Sequence, residues 1–318
     1  MKVVIAGGSG QIGTLLTRAL LDAGDEVVVL SRADRGSAAR VVRWDGEGDG
    51  EWMREIDGAD VVINLAGRSV NCRYTHENRR AIMSSRVDST RAIARAIARA
   101  AHPPHTWLQA STATIYAHRH DASNDETTGI IGGLEPDSPA SWRFSIDVAL
   151  AWEAAAAEAA TPGTRRVTMR SAMTMSPDRG GIFATLLGLV RFGLGGPVGD
   201  GRQYVSWIHD EDFVRAVRWL VEHREIDGVV NLAAPGPLPY REFMRELREA
   251  WGARLGLPAT EWMVMIGTWL MRTESELVLK SRRVVPGRLL EAGFEFRYPT
   301  WGLAARDLCA RWRRIHGS

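Results

Sequence analysis

A loop rich in glycine follows the strand-like run 2–6 at the start of the chain. Its residues are Gly7, Gly8, Ser9, Gly10, Gln11, Ile12 and Gly13. A helical apolar pattern begins at Leu15, so the order is strand, glycine turn, helix. Glycines let the backbone turn tightly beside a diphosphate, and the helix behind them offers unpaired N–H groups and the positive end of its dipole. This context predicts a dinucleotide site, with a ligand-free strand-to-helix turn as the alternative.

A second group that could bind a nucleotide follows the next predicted strand, residues 26–30. In dinucleotide sites an acidic residue at this place bonds the ribose 2′-hydroxyl and selects NAD. This chain has Arg32 instead, about twenty residues beyond the glycines, and a guanidinium suits a phosphate. We therefore predict NADP(H) rather than NAD(H), unless Arg32 is solvated or paired with Asp34. Asp45, after the third predicted strand, is a candidate for an adenine contact.

Apolar strands and helical patterns alternate through the first half of the chain. The predicted strands are 2–6, 26–30, 40–44, 60–65, 106–111, 166–170 and 229–232, and the predicted helices include 79–101, 145–160 and 210–223. This order predicts a doubly wound parallel sheet of the Rossmann type, in the α/β class. The fourth strand leads into Leu65, Ala66 and Gly67, where we expect the backbone to pass close to the cofactor.

The predicted organisation is a dinucleotide-binding domain with a smaller lobe. Residues 1–175 form the Rossmann-type domain, to which residues 206–234 return. Residues 176–205 and 235–318 form a mainly helical substrate lobe. We expect this lobe to lie across the carboxyl ends of the strands, because ligands bind there in open α/β sheets.

The composition narrows the classes of function. A formal net charge of +2 gives no basic face for nucleic acid, and no apolar run reaches the length of about 18 residues that suggests a membrane span. Cys72 and Cys309 form neither a disulfide framework nor a metal-ligand spacing, so we expect no metal site and a cytoplasmic protein. Because the chain starts directly with a core strand, we also expect no signal peptide. A small molecule is the expected partner, and the oligomeric state stays open.

Several segments together resemble the extended short-chain dehydrogenase/reductase superfamily. They are residues 7–13, 64–67, 111–116 and 199–203. The chain is more closely similar to an epimerase-like branch whose members carry a C-terminal domain of unknown function (DUF1731). The segments that carry this similarity are 193–197, 206–209 and 283–296. The resemblance implies a Rossmann-type domain that binds a nicotinamide cofactor, with Ser111 among the cofactor-binding residues, and a C-terminal substrate lobe.

The chain departs from the superfamily at the position of its proton relay. Ordinary members use a tyrosine with a lysine four residues later, and the tyrosine acts as general acid or base. At the matching positions this chain has Phe144 and Val148, and none of its five tyrosines has a lysine four residues later. Thr112 falls where the resemblance places a substrate-binding hydroxyl. Tyr116, four residues further on, is the first candidate for a proton donor.

Other polar residues have a structural explanation beside a functional one. They are Asp147, His209, Lys280, Arg73 and Arg86. We favour a solvated helix carboxylate for Asp147, a capped helix start for His209 and a Glu276–Lys280 pair at helical spacing. Either arginine could contact a phosphate. The loop 193–207 could line a substrate cleft or pack the smaller lobe.

Two functions remain after these observations. The first is an NADP(H)-dependent oxidoreductase or epimerase-like enzyme that acts on a small hydroxy, carbonyl or sugar-nucleotide-like compound. The second is a protein that binds NADP(H) without turnover, as a sensor or interaction partner. The residues Phe144 and Val148 favour the second, whereas the cleft motifs at 199–203 and 206–209 favour the first. We favour the enzyme.

Overall fold

The computed structural model describes residues 1–34, 36–135, 139, 142–259 and 276–317. The part of the predicted helical lobe that falls in residues 260–275 therefore lies outside the described residues. Within the described ranges, no helix is both long enough and apolar enough to cross a lipid bilayer.

The strands of the described ranges form one large sheet and two small ones. They are β1 (Lys2–Ala6), β2 (Glu26–Ser31), β3 (Arg40–Arg43), β4 (Val61–Asn64), β5 (Thr106–Thr112), β6 (Arg165–Ser171), β7 (Met173–Met175), β8 (Tyr204–Val205), β9 (Trp207–His209), β10 (Gly228–Leu232) and β11 (Leu238–Pro239). The large sheet has the order β10-β6-β5-β4-β1-β2-β3, and all of its neighbouring strands are parallel. The small sheets pair β8 with β11 and β7 with β9.

The order of the large sheet confirms the predicted doubly wound α/β fold. The chain runs outward from β1 through β2 to β3 and then returns to place β4 on the other side of β1. Ala6, the last residue of β1, pairs with Leu30 of β2 on one side and with Asn64 of β4 on the other. Such a reversal of strand order leaves a crevice at the carboxyl ends of the strands, where ligands bind in this kind of sheet.

Some of the helices cover both faces of the large sheet. The helices of the described ranges are α1 (Gln11–Asp22), α2 (His76–Arg99), α3 (Arg143–Ala157), α4 (Ile182–Arg191), α5 (Asp210–Glu222), α6 (Tyr240–Trp251), α7 (Glu276–Leu279), α8 (Gly287–Glu291) and α9 (Trp301–His316). Residues of α1 and α5 share one core with β1, β2 and β10, while α2 and α3 share the core on the other face. Strands buried on both faces need apolar residues at nearly every position, which explains the unbroken apolar runs in the sequence.

A second hydrophobic core lies outside the two faces of the large sheet. It is built from the apolar sides of α4, α6 and α9, with Phe183, Phe243 and Trp301 at its centre. The rings of Phe243 and Trp301 stack with centroids 4.0 Å apart, and Trp301 meets Trp207 edge to face at 5.0 Å. Trp207 is fully buried in this core, which assigns that residue of the loop 193–207 to packing.

The helix boundaries differ from the predicted ones by a few residues. The predicted helix 79–101 begins at His76, because the side chain of Thr75 accepts a hydrogen bond from the backbone N–H of Asn78 at 3.2 Å. The predicted helix 145–160 spans Arg143–Ala157. Caps of this kind decide where a helix starts, and an apolar pattern alone does not show them.

Candidate functional site

The glycine loop is built against the loop that follows β4. Gly7 has a φ of +77°, and a Cβ added there would lie 2.8 Å from both Cα and N of Ala66. The N–H of Gly7 donates to the carbonyl of Leu30 at 2.9 Å, and the N–H of Gly10 donates back to the carbonyl of Gly7 at 3.1 Å. The two loops therefore meet backbone to backbone, and only glycine fits at position 7.

Helix α1 begins at this loop with an open amino terminus. Gly10 is its N-cap, no side chain caps the helix, and its first turn carries no acidic residue. Gly13 packs so closely on Gly8 that any side chain there would overlap the backbone of the loop. Ile12 packs against the core below, whereas the exposed Gln11 reaches across to Gly181 at the start of α4. The positive end of the α1 dipole thus faces the crevice, and the helix itself places no acidic residue there.

The end of β2 carries a hydroxyl group that meets the glycine loop, and a guanidinium follows it in the chain. The Oγ atoms of Ser9 and Ser31 lie 2.8 Å apart, which ties the glycine loop to the end of β2. Arg32 follows and is exposed. The carboxylate of Asp34 accepts from the N–H of Gly36 at 2.9 Å, and within the described ranges no carboxylate lies within 4.0 Å of the Arg32 guanidinium. The Arg32–Asp34 pair weighed as an alternative is therefore not formed.

The carboxylate of Asp45 turns into its own loop. Its Oδ1 accepts hydrogen bonds from the N–H groups of Glu47 at 3.0 Å and Gly48 at 2.9 Å. These backbone donors hold the pKa of Asp45 below its ordinary value. The residue is exposed. Its contact with adenine stays a prediction. In the structure the carboxylate accepts the hydrogen bonds that close the turn after β3.

The buried side-chain amide of Asn64 holds the loop after β4 in place. The Oδ1 atom of Asn64 accepts from the N–H of Ala66 at 3.1 Å, and its Nδ2 donates to Oε1 of Gln109 at 3.0 Å. The N–H of Leu65 donates to the carbonyl of Ala6 at 2.8 Å. These bonds hold Leu65 and Ala66 beside the end of β1, and the predicted passage of this backbone, with Gly67, close to a cofactor stays a prediction.

The hydroxyl of Ser111, near the end of β5, is hydrogen-bonded to a carboxylate that also pairs with an arginine. It donates to Oε1 of Glu153 at 2.5 Å, and the guanidinium of Arg170 donates to both oxygens of the same carboxylate at 2.8 Å. Bidentate pairing of this kind is strong and fixes the position of the carboxylate. Ser111 therefore has a structural partner in this conformation, and its predicted contact with a cofactor stays a prediction.

Tyr116 is packed inside the protein with its hydroxyl engaged. It is 2% exposed, its OH donates to Oδ1 of Asn231 at 3.0 Å, and the guanidinium carbon of Arg170 lies 4.9 Å from the ring centroid. Burial raises the pKa of the Tyr116 hydroxyl, which is therefore protonated at neutral pH. Thr112 is half-buried at the end of β5 and accepts from the N–H of Thr114 at 3.2 Å.

Two apolar residues of α3, Phe144 and Val148, are packed against their surroundings. Phe144 is half-buried with Tyr74 edge-on at 5.0 Å, and Val148 is buried. Asp147 is exposed and lies 3.5 Å from the guanidinium of Arg143, in agreement with a solvated helix carboxylate.

The family of the chain follows from its comparison with known proteins. Residues 3–233 match the NAD dependent epimerase/dehydratase family, and residues 259–308 match the domain of unknown function DUF1731. The chain belongs to the NAD dependent epimerase/dehydratase family. This confirms the resemblance drawn from the sequence motifs.

Relatives in this epimerase family match the chain from end to end. The mouse epimerase family protein SDR39U1 is 32% identical over 98% of this chain and 100% of its own length. The Bacillus subtilis epimerase family protein YfhF is 31% identical over 98% of both chains. A crystal structure of human SDR39U1 with NADPH superimposes with a TM-score of 0.83 at 28% identity, covering 98% of this chain and 99% of the human one.

Two further candidates of this epimerase-family chain have structural partners. His209 is fully buried, stacks on Tyr298 with ring centroids 3.7 Å apart and accepts from the N–H of Glu211 as the cap of α5. Lys280 and Glu276 form the predicted pair, with Nζ 3.6 Å from Oε1, but the pair is buried and not on the surface. Burial lowers the pKa of Lys280 to about 8.

Arg86 is one of two arginines, with Arg73, whose contact with a phosphate the sequence could not rank. Its Nη1 donates to the carbonyls of Arg68 and Ile82, each at 3.0 Å, and its guanidinium lies 5.1 Å from the ring centroid of Trp152. A Cβ added to Gly67 would lie 3.2 Å from the guanidinium carbon. The contact depends on α2 and α3 packing together beside the β4 loop, and sequence spacing does not show that packing.

Proposed function

We propose that this chain binds NADP(H) in the crevice formed by the glycine loop, the end of β2 and the loop after β4. The observation that carries the proposal is the backbone contact between Gly7 and Ala66 beneath the uncapped start of α1. That cradle has no room for a side chain at Gly7, and it offers main-chain N–H groups to an anion. The fit supports a dinucleotide, and the human relative crystallised with NADPH supports the same cofactor.

The preference for the phosphorylated cofactor rests on Arg32. Its guanidinium is exposed at the end of β2, one residue beyond the Ser31 hydroxyl that meets Ser9. We propose that Arg32 binds the 2′-phosphate and that the Ser9 and Ser31 hydroxyls lie near the ribose. An unpaired arginine suits a phosphate, and an acidic residue, which would repel the phosphate, is absent from position 32.

We propose that the protein is an oxidoreductase or an epimerase-like enzyme for a small hydroxy or carbonyl compound, or for a compound like a sugar nucleotide. When bound, the nicotinamide supplies hydride transfer. Thr112, half-buried at the end of β5, orients the reacting oxygen of the substrate. Tyr116 is the candidate proton donor, and its raised pKa keeps the proton available. To donate its proton, the Tyr116 hydroxyl must break its hydrogen bond with Asn231 and form one with the substrate.

The reaction must proceed without the superfamily's tyrosine–lysine pair. We propose that Phe144 and Val148 stand where the pair would be, so no ionisable group on that turn of α3 moves a proton. Holding two reactants in the right geometry supplies much of the acceleration by itself, so a reaction with a weaker proton donor is feasible.

A second candidate function is an NADP(H)-binding sensor without turnover. The same two residues favour it, since hydrocarbon side chains cannot transfer protons. Tyr116 also favours it, because its hydroxyl is buried and already bonded.

A turnover screen separates the two functions. The purified protein is saturated with NADPH and incubated with carbonyl compounds and with sugar nucleotides, and the nicotinamide absorbance and product masses are followed. The enzyme predicts consumption or isomerisation of at least one compound class, which Thr112→Val suppresses. Binding of NADPH with no change in any compound or in the cofactor redox state would support the sensor.

A further inference from the structure

Arg86 carries a positive charge for which the described part of the chain supplies no counter-charge. Its guanidinium has two hydrogen bonds, both from Nη1 and both to backbone carbonyls, those of Arg68 and Ile82. Its Nε and Nη2 groups donate to no acceptor in the described ranges, and no carboxylate there lies within 4.0 Å. Burial lowers the pKa of Arg86 to about 10, which still leaves it charged at neutral pH.

Burying a cation of this kind costs free energy unless an anion pairs with it. Removing an arginine from water costs several kcal/mol, and two neutral carbonyls recover only part of that cost. Arg170, by contrast, has both oxygens of Glu153 at 2.8 Å. The lack of such a partner at Arg86 points to an anion that arrives with a ligand.

The position of Arg86 indicates which ligand would supply the anion. A Cβ added to Gly67 would lie 3.2 Å from the Arg86 guanidinium carbon, and a Cβ added to Gly7 would lie 2.8 Å from Cα of the preceding residue, Ala66. Bond lengths and these contacts place the guanidinium carbon within about 13 Å of the Gly7 Cα atom. On the other side lies Trp152, one helical turn beyond Val148 on the same side of α3. Arg86 therefore borders the crevice in which the proposed cofactor's diphosphate would lie.

We propose that Arg86 binds the diphosphate of the cofactor, so that α2 supplies a cation to a site whose neighbouring helix α3 has only Val148 at the lysine position. The inference rests on the proposed function. It assigns two tasks to one side chain. Nη1 holds the Gly67 loop through the Arg68 carbonyl, and the unpaired Nε and Nη2 groups donate to phosphate oxygens.

The structural alternative is that Arg86 serves only to hold the loop. A second hydrogen bond to the same loop offers a matched control, because the Oγ of Ser85 accepts from the N–H of Arg68 at 2.9 Å. Ser85→Ala removes that hydrogen bond without changing a charge. Arg86→Gln removes the charge while keeping an amide that can reach a carbonyl, and Arg86→Lys keeps the charge.

The test compares ligands that differ in what they carry beyond the 2′-phosphate. They are NADPH, 2′-phospho-ADP-ribose, which has the diphosphate but no nicotinamide, and adenosine 2′-monophosphate, which has no phosphate on its 5′ carbon. Dissociation constants are measured by calorimetry for the wild type and the variants, with melting temperatures as a check of folding. We expect Arg86→Gln to weaken NADPH and 2′-phospho-ADP-ribose alike, by about tenfold or more, and the monophosphate by less than about twofold. Arg86→Lys keeps the charge but not the fork of donors, so it should weaken the two diphosphates less than Arg86→Gln does. Ser85→Ala should stay within about threefold of the wild type for all ligands.

Other outcomes overturn the assignment. Equal weakening of all three ligands means that Arg86 only supports the loop. Weakening of NADPH alone places Arg86 at the nicotinamide, and no weakening at all removes it from the cofactor site. If the wild type fails to bind NADPH, the proposed function fails together with this inference.

A measurement on the wild type covers the case in which the variants do not fold. Phenylglyoxal modifies accessible arginines, and peptide mass spectrometry reads the modification of Arg86 by itself. NADPH and 2′-phospho-ADP-ribose should protect Arg86, whereas adenosine 2′-monophosphate should not. Modification of Arg86 at the same rate with and without NADPH would contradict the proposal.

Discussion

Gly7 and Ala66 join the two loops of the crevice with no side chain between them: a methyl group on Gly7 would lie 2.8 Å from Cα and N of Ala66. The neighbouring atoms are backbone, which cannot swing aside as a flexible side chain can. Gly7 also has a positive φ of 77°, which other residues adopt at a cost.

Gly7→Ala should therefore both destabilise the protein and abolish NADPH binding. We expect a loss of about 2–4 kcal/mol in the free energy of unfolding, from the overlap and the left-handed backbone together. Gly24→Ala is the matched control, because Gly24 has a φ of +82° and nothing within 4 Å of an added Cβ. It should lose about 1 kcal/mol and bind NADPH normally. Urea unfolding and NADPH titration measure both effects, and normal NADPH binding by folded Gly7→Ala would contradict the assigned cradle.

Arg32→Ala should weaken NADPH far more than NADH. The expected loss is about tenfold or more for NADPH, the value of one charge-assisted contact, with NADH nearly unchanged. Arg54→Ala is a control for the loss of an exposed arginine, since Arg54 lies on the surface with Glu51 at 3.5 Å. Fluorescence titration with both cofactors gives the two ratios. Equal weakening of NADPH and NADH would remove Arg32 from the 2′-phosphate site.

Tyr116→Phe should suppress turnover of any substrate that the screen identifies. Loss of a general acid costs about a hundredfold or more in rate, and the unpaired Asn231 acceptor should cost about 1–3 kcal/mol of stability. Asn231→Ala breaks the same hydrogen bond but keeps the hydroxyl, so it should lose stability and retain turnover. Rate assays beside thermal unfolding separate the two effects. Full activity of Tyr116→Phe would leave the hydroxyl with a structural role alone.

Lys280 should titrate well below an ordinary lysine. Its pKa is lowered to about 8, chiefly by burial, from 10.5. The unfolded chain thus binds more protons than the folded one between these values, so the Lys280 contribution to stability rises as the pH rises from about 8 to about 10.5. Lys2 and Lys280 are the only lysines, so NMR of lysine labelled with ¹³C shows just two side chains.

Glu276→Gln sharpens that test. The Glu276 carboxylate, 3.6 Å away, raises the pKa of Lys280, so its removal should lower that pKa further. Titration of Lys280 near 10.5 in the wild type would contradict the buried position of the amine.

The sheet and the glycine loop were predictable because their signals are local. The strand from Lys2 to Ala6 needs buried apolar residues because it lies between two helical layers. The glycines next to it are required by close contacts within the same turn. The Glu276–Lys280 pair follows from helical spacing in the same way. Each of these features is decided by residues within a few positions of one another.

Features that depend on the meeting of distant segments were not predictable. The burial of Tyr116 depends on Asn231 and Arg170, which come from other strands. The unpaired charge of Arg86 depends on a loop and a helix brought together only by the fold. Residue types near a motif therefore suggest candidates for a site, and packing decides which of them face the ligand.

Calorimetric titration of the wild-type protein with NADPH and with NADH tests the central claim most directly. We predict binding of NADPH in the micromolar range and at least about tenfold weaker binding of NADH, because only NADPH carries the phosphate for Arg32. No heat of binding with either cofactor at millimolar concentration, or tighter binding of NADH, would contradict the account.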